Sequence, residues 1–225
     1  MLFGGEILFK DRADAGRRLS SRLSQFAGRD DVIVLALPRG GVPVGFEIAR
    51  ALISPLDVLV VRKLGAPGQE ELAMGAIASG GIHLINSDIV HALHISVQQL
   101  DERLAQEQQE LERREHLYRG DRAAPDIRGH NVILVDDGMA TGSTMRVAIS
   151  AVRQNNPTSV IVAVPIASYS VCRQLDKEAD SVVCLYTPVD FYAVGQWYRS
   201  FTQTTDDEVR DLLNRAIKPT EHHVA

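Results

Sequence analysis

The residues best suited to bind or react with a ligand form one stretch in the second half of the chain. Asp136 and Asp137 follow the apolar run Val132–Val135, and the next small residues are Ala140, Thr141, Gly142, Ser143 and Thr144. The backbone N–H groups and three hydroxyls of such a turn can surround a phosphate monoester, and a helix that begins there adds a favourable dipole. Adjacent carboxylates can accept hydrogen bonds from a vicinal diol and act as outer ligands of Mg²⁺. The stretch therefore indicates a ribose phosphate site.

This stretch, VILVDDGMATGST, resembles the 5-phosphoribosyl-1-pyrophosphate (PRPP) motif of type I phosphoribosyltransferases, although Gly138 stands where an apolar residue is usual. Two more segments occur in the family's order. The residues Pro38, Arg39, Gly40 and Gly41 follow the first predicted strand, where the family has its pyrophosphate loop. Arg62 and Lys63 follow the second, where several members carry a basic pair before a flexible lid. The resemblance also implies a cis peptide bond between Pro38 and Arg39.

The resemblance implies a reaction in which a nitrogen nucleophile displaces pyrophosphate at the anomeric carbon of PRPP. Its transition state has oxocarbenium character, like that of glycoside cleavage. Arg39, Arg62 and Lys63, together with Mg²⁺, would neutralise the leaving pyrophosphate. Asp136 and Asp137 would hold the ribose hydroxyls and, through water or those hydroxyls, the metal. The turn at 140–144 would hold the 5′-phosphate.

The sequence says less about the molecule that accepts the phosphoribosyl group. In 6-oxopurine members the position of Ala140 carries an acid that contacts the base, so its absence argues against a hypoxanthine or guanine enzyme of that type. Half of the aromatic residues fall in positions 186–201, and the resemblance implies a variable, acceptor-selecting hood at about 187–203. Phe191 or Tyr192 could stack on a planar base there, or both could serve as packing anchors.

The surrounding pattern predicts an α/β protein with a mainly parallel sheet. Unalternating apolar runs, typical of strands buried on both faces, predict strands at 32–37, 57–61, 132–135, 160–166 and 182–186. Helical patterns lie at 11–26, 42–52, 144–154, 169–178 and 206–216. We expect one domain over residues 1–225 with the three-layer α/β/α phosphoribosyltransferase-like fold. The glycine-rich segment at about 64–82 is expected to be a mobile loop or hairpin that acts as a lid.

A long polar helix is predicted at about 96–119. Its apolar residues Val97, Leu104, Leu111 and Tyr118 recur every seven positions, with Leu100 beside them. Such a seam fits packing on the same domain or a contact in a homodimer.

Composition narrows the class of protein. The 24 basic and 29 acidic residues give a net charge of −5, which disfavours nucleic acid as the main partner. The longest apolar stretch, 160–167, is far below the ~20 residues needed to cross a bilayer, and we expect a cytoplasmic protein. Cys172 and Cys184 lack metal-ligand spacing and are interpreted as reduced packing residues. The histidines are interpreted as surface groups (His91, His94) or part of a C-terminal tail (His222, His223).

These observations lead to a Mg²⁺-dependent phosphoribosyltransferase acting on PRPP and a nucleobase or similar acceptor. A PRPP-sensing regulator with weak or no transferase activity is the alternative. Hydrolysis or phosphorolysis of another ribose phosphate remains a third possibility, because the same residues could serve it.

Overall fold

The computed structural model describes residues 8–217, so His222 and His223 lie outside the described part of the chain. The strands are β1 Val32–Ala36, β2 Leu56–Val58, β3 Val61–Ala66, β4 Gln69–Ala78, β5 Ile82–Ile85, β6 Asn131–Val135, β7 Ser159–Ile166 and β8 Ser181–Tyr186. A five-stranded sheet in the order β2-β1-β6-β7-β8, with every neighbouring pair parallel, forms the centre. A separate antiparallel sheet has the order β3-β4-β5.

The α-helices are α1 Arg12–Ser20, α2 Gly41–Leu52, α3 Ser87–Ala92, α4 Val97–Arg119, α5 Ser143–Arg153, α6 Tyr169–Leu175 and α7 Asp206–Ile217. Short 3₁₀ helices lie at Ser21–Phe26 and Val194–Trp197. No helix of the part described here is long and apolar enough to cross a membrane.

The central sheet is covered on both faces, which explains its unalternating apolar strands. Along β1, Val32, Val34 and Ala36 belong to one apolar cluster, together with residues of α1, α2, α4 and α7. Ile33 and Leu35 belong to a second cluster, which also contains residues of α5 and α6. The three-layer α/β/α fold predicted from the sequence is confirmed.

Two predicted elements are divided in the structure. The strand expected at 57–61 ends at Val58, and Val61 starts β3, because the chain leaves the central sheet to pair with the hairpin: Ser79 N donates to Val60 O at 2.9 Å. The helix expected at 11–26 is α-helical only to Ser20. The hydroxyls of Ser20 and Ser21 there bind carbonyls three residues back, at 2.8 Å each, which competes with α-helical geometry.

The segment at 64–82, expected as a loop or hairpin, runs mostly through β3 and β4. Its closure over a site stays a prediction. On α4, Leu111 and Tyr118 are buried in the core, whereas Val97 is 75% exposed. Most of the predicted seam therefore packs on the chain itself, and a homodimer contact through α4 stays a prediction. Cys172 and Cys184 are free thiols that pack with the α5–α6 cluster.

Helix α1 lies very close to α2, and Gly16 permits this approach. A Cβ added at Gly16 would stand 2.6 Å from Val44 O and 2.9 Å from Glu47 Cβ. In an open helix Gly→Ala stabilises by about 1 kcal/mol, but here we expect Gly16→Ala to lower the free energy of unfolding by about 1–3 kcal/mol. Urea denaturation measures this change. Gly45→Ala is the matched control, because its Cβ would meet only side-chain carbons at 3.0 Å or more and should cost less. A stabilising Gly16→Ala would contradict the packing.

Candidate active site

Two loops meet at the carboxyl ends of β1 and β6, because these strands are parallel neighbours. Leu37 N donates to Val135 O at 2.8 Å and fixes the ends together. A Cβ added at Gly40 would stand 2.1 Å from Asp137 Oδ2, and one at Gly41 would stand 2.6 Å from Val135 O. Only glycine therefore fits at these positions. The Pro38–Arg39 peptide bond between the strand and the glycines is cis, as the resemblance implied.

The acid pair is largely withdrawn from solvent. Asp137 Oδ2 accepts a hydrogen bond from Arg12 Nε at 2.7 Å, and Asp136 Oδ1 accepts one from the backbone N–H of Asp137 at 2.8 Å. Burial raises the pKa of Asp136 well above its ordinary value, and the charge of Asp137 raises it further. Burial also raises the pKa of Asp137, and the hydrogen bond from Arg12 opposes that shift.

The turn after the acids is shaped to leave backbone donors open. Gly142 has φ of 71°, in the left-handed region, and its added Cβ would stand 2.7 Å from Val171 Cγ1 of α6. Helix α5 begins at the next residue, so its first N–H groups have no intrahelical partner. Thr141 and Ser143 are exposed, and their hydroxyl oxygens lie 3.1 Å apart. Ala140 and Thr144 are also exposed. Such a turn can receive a phosphate.

Arg39 and Arg62 have acidic partners on α7 and α4. Arg62 donates to the buried Glu107 of α4 through Nε at 2.8 Å and forms an ion pair with it through Nη2 at 2.6 Å. Arg39 Nη1 lies 3.8 Å from Asp206 Oδ1 at the start of α7. Lys63 is exposed on β3. Neither acidic partner belongs to the acid pair, so the structure does not join these arginines to Asp136 or Asp137 directly.

The aromatic segment approaches the acids through residues other than those expected. Phe191 is half-buried and stacks on Trp197 with ring centroids 6.5 Å apart, and Tyr192 is 73% exposed. Tyr198 instead donates its hydroxyl to Asp137 O at 2.6 Å, and Phe201 lies under the Arg12 guanidinium at 3.9 Å. Base stacking by Phe191 or Tyr192 stays a prediction.

Sequence reasoning did not identify Arg12, Tyr198 and Phe201 as site residues. Arg12 lies 125 positions before Asp137, and no local motif surrounds it. The aromatic clustering at 186–201 pointed to the correct segment but could not rank its members. For Arg12 the usable signal was the predicted parallel fold, which brings distant segments to the same end of the sheet.

The structure is therefore an α/β protein with an open parallel sheet, whose acid pair and small-residue helix start lie at the carboxyl ends of the strands, where sheets of this kind bind ligands. Comparison with known families makes this more specific. The model of the phosphoribosyl transferase domain matches residues 6–199, and the chain belongs to that family. Helix α7 lies beyond the matched region.

The most informative relatives are bacterial. The chain is 48% identical over 209 residues to "Putative phosphoribosyl transferase Rv0571c" of Mycobacterium tuberculosis H37Rv, and equally to its counterpart in strain CDC 1551. The match covers 93% of this chain but 47% of each relative, so the chain spans about half the length of the curated relatives it matches. The crystal structure of TT1426 from Thermus thermophilus is similar with a TM-score of 0.80 and 42% identity, over 92% of this chain and 98% of that one.

The burial of the Tyr198 hydroxyl can be tested by measuring how the stability of the protein changes at alkaline pH. Burial, and next the charge of Asp137, raise the pKa of Tyr198 above its ordinary value, and burial raises the pKa of Tyr118 to about 12. Above pH 10 the unfolded chain releases these protons and the folded chain retains them, so stability falls as pH rises. Tyr198→Phe should reduce this slope by about 1.4 kcal/mol per pH unit.

The measurement is urea denaturation at intervals between pH 8 and pH 11.5. At neutral pH the same variant should lose about 1 kcal/mol, because Asp137 O loses its donor. Tyr169→Phe, which removes an exposed phenol, is the control and should keep the wild-type slope. An unchanged slope in Tyr198→Phe would contradict the buried hydroxyl.

Proposed function

We propose that the protein is a Mg²⁺-dependent phosphoribosyltransferase that moves the 5-phosphoribosyl group of PRPP to a nitrogen of a nucleobase or similar acceptor and releases pyrophosphate. The observation that carries the proposal is the meeting of three parts at one sheet edge: the acid pair after β6, the small-residue start of α5 and the glycine loop after β1. Membership of the phosphoribosyl transferase domain family supports it.

Each part suits one portion of PRPP. The exposed turn at 140–144 would receive the 5′-phosphate at the start of α5. The acid pair would accept hydrogen bonds from the ribose hydroxyls. The loop after β1 that contains Arg39 and Gly40 would meet the pyrophosphate. These contacts would hold the sugar with its anomeric carbon directed at the acceptor, which supplies the positional part of catalysis.

The acid pair also fits the expected metal. Among the side chains that the structure describes, no group of three or more His, Cys, Asp or Glu could hold a metal ion alone. Mg²⁺ rarely needs such a cage, because it keeps several waters and is usually bound by one or two carboxylates and substrate phosphates. Asp136 and Asp137 supply oxygen ligands of that kind. When bound, Mg²⁺ would neutralise charge on the phosphate oxygens.

Catalysis by the chain itself would be mainly electrostatic. Positive charge develops on the sugar and negative charge on the pyrophosphate as the glycosidic bond breaks. The carboxylates would favour the former, and Arg39, Arg62 and Lys63 would favour the latter. Closure of the β3–β4 hairpin over the site would exclude water, which otherwise hydrolyses the activated sugar.

A PRPP-sensing regulator is the second candidate, and one observation favours it. Arg62 is bound by Glu107, and Arg39 lies next to Asp206, so both arginines expected to stabilise the leaving group are already paired. A sensor could keep these pairs when it binds PRPP. A transferase must open them, or at least share the arginines with pyrophosphate, during each cycle.

Binding of PRPP is the first prediction of this proposal. Asp136→Asn removes a charged acceptor without changing shape, and we expect about a 10- to 100-fold loss of affinity for PRPP in the presence of Mg²⁺. Isothermal titration calorimetry measures the affinity, and circular dichroism checks the fold. Asp121→Asn, at an exposed position, is the matched control. Unchanged affinity in Asp136→Asn would overturn the assignment of the site.

Turnover is the second prediction. Pyrophosphate release from PRPP should rise above the rate without acceptor for at least one member of a panel of purines and pyrimidines. A coupled pyrophosphate assay measures this rate. Tight PRPP binding without release for any base would favour the sensor, and release independent of any base would favour hydrolysis.

A further inference from the structure

A largely buried ion pair connects α1 to the acid pair. Arg12, at the start of α1, donates from Nε to Asp137 Oδ2 at 2.7 Å and from Nη1 to Thr202 O at 2.6 Å. Its guanidinium carbon stands 3.9 Å from the centroid of the Phe201 ring. The two side chains of the ion pair are only 12% and 14% exposed. Arg12 therefore makes three contacts at once: an ion pair with Asp137, a hydrogen bond to Thr202 O and stacking of its planar group on Phe201.

The two acids consequently have different surroundings. The carboxylate of Asp137 is held by Arg12 and lies against the backbone of Gly40, and its carbonyl accepts the Tyr198 hydroxyl. Within the described chain, the carboxylate of Asp136 accepts one hydrogen bond, from the adjacent backbone N–H of Asp137. Asp137 is fixed by protein groups on several sides, whereas Asp136 retains acceptor capacity for a ligand.

Arg12 also lowers the net negative charge of the site. Two ionised carboxylates side by side would place two negative charges where a sugar carrying several phosphate groups must bind, and like charges repel strongly in a partly buried site. Arg12 compensates one of them. The acid pair with Arg12 then carries one net negative charge, which can still accept a diol while repelling the phosphates less.

From this geometry we infer that Arg12 is a positioning residue for the ribose: it holds Asp137 within the protein and leaves Asp136 as the acid that meets the diol. Arg12 also ties the segment around Phe201 and Thr202 to the acid pair, so the position of this segment depends on the same contact. The inference rests on the proposed function, because it assigns different roles to the two acids of the PRPP site.

A set of variants separates this role from a purely structural one. Calorimetric titration of PRPP in the presence of Mg²⁺ is carried out on the full chain with Arg12→Met, Arg12→Lys, Asp137→Asn and the double variant Arg12→Met/Asp137→Asn. Asp136→Asn is the reference for loss of the ligand-binding acid. Arg17→Met is the matched control, because Arg17 lies on the same helix, is half exposed and pairs with Glu47, away from the acids.

We expect Arg12→Met to weaken PRPP affinity by about tenfold or more, since it leaves a buried carboxylate uncompensated. Arg12→Lys keeps the charge and should lose less. The double variant removes both charges and should bind PRPP more tightly than Arg12→Met alone. It should also bind about tenfold more tightly than Asp136→Asn. Arg17→Met should match the wild type.

Three results would overturn the inference. The first is a folded Arg12→Met protein with wild-type affinity, which would make Arg12 a structural anchor only. The second is a double variant weaker than either single variant, which would show that both acids contact the ligand directly. The third is equal losses in Asp137→Asn and Asp136→Asn.

If Arg12→Met is not folded, as shown by the loss of cooperative unfolding, the PRPP affinities of the double variant and of Asp136→Asn are compared instead. Equal affinities in these two variants would also overturn the inference. A wild-type protein that does not bind PRPP would overturn the proposed function itself, so the two failures are distinguishable.

Discussion

The burial of two adjacent carboxylates at the end of β6 is the constraint on which the rest of the site depends. Burial raises the pKa of each acid, and the charge of Asp137 raises the pKa of Asp136 further. Two contacts oppose this effect: Arg12 of α1 donates to Asp137, and the backbone N–H of Asp137 donates to Asp136. The glycine loop after β1 must then pass close to the carboxylate of Asp137, which excludes any side chain at Gly40. The acid pair thus contacts two segments that are distant in sequence, α1 and the loop after β1.

Packing and charge contacts also link the site to the surrounding helices. Helix α1 can bring Arg12 to Asp137 because α1 packs tightly on α2 at Gly16. Helix α7, beyond the matched family region, places Asp206 next to Arg39, and the Tyr118 hydroxyl of α4 also donates to Asp206 at 2.7 Å. Charge pairs therefore surround the site on more than one side. On the proposed function, the pair of Arg39 with Asp206 would open when a polyanionic ligand arrives, whereas the pair of Arg12 with Asp137 would stay intact.

The sequence predicted those features that short-range patterns control. Unbroken apolar runs located all the central strands within one or two residues at most ends, and the thirteen-residue motif at 132–144 located the acids and the helix start. Sequence patterns did not predict features that depend on contacts between residues far apart in the chain. The end of β2 depends on a hydrogen bond between Val60 and Ser79, and the pairing of Arg12 with Asp137 spans 125 positions. The segment at 186–201 was located, but the contacts of Tyr198 and Phe201 depend on how it folds back over α1, which composition does not specify.

A crystal structure of the full chain with PRPP and Mg²⁺ would test the central claim most directly. The account predicts the 5′-phosphate at the turn formed by residues 140–144, the ribose hydroxyls on the Asp136 carboxylate, and an intact ion pair between Arg12 and Asp137. A sugar phosphate bound elsewhere would contradict the proposed site. Ribose hydroxyls shared by both carboxylates, with Arg12 displaced, would contradict the division of roles between the two acids.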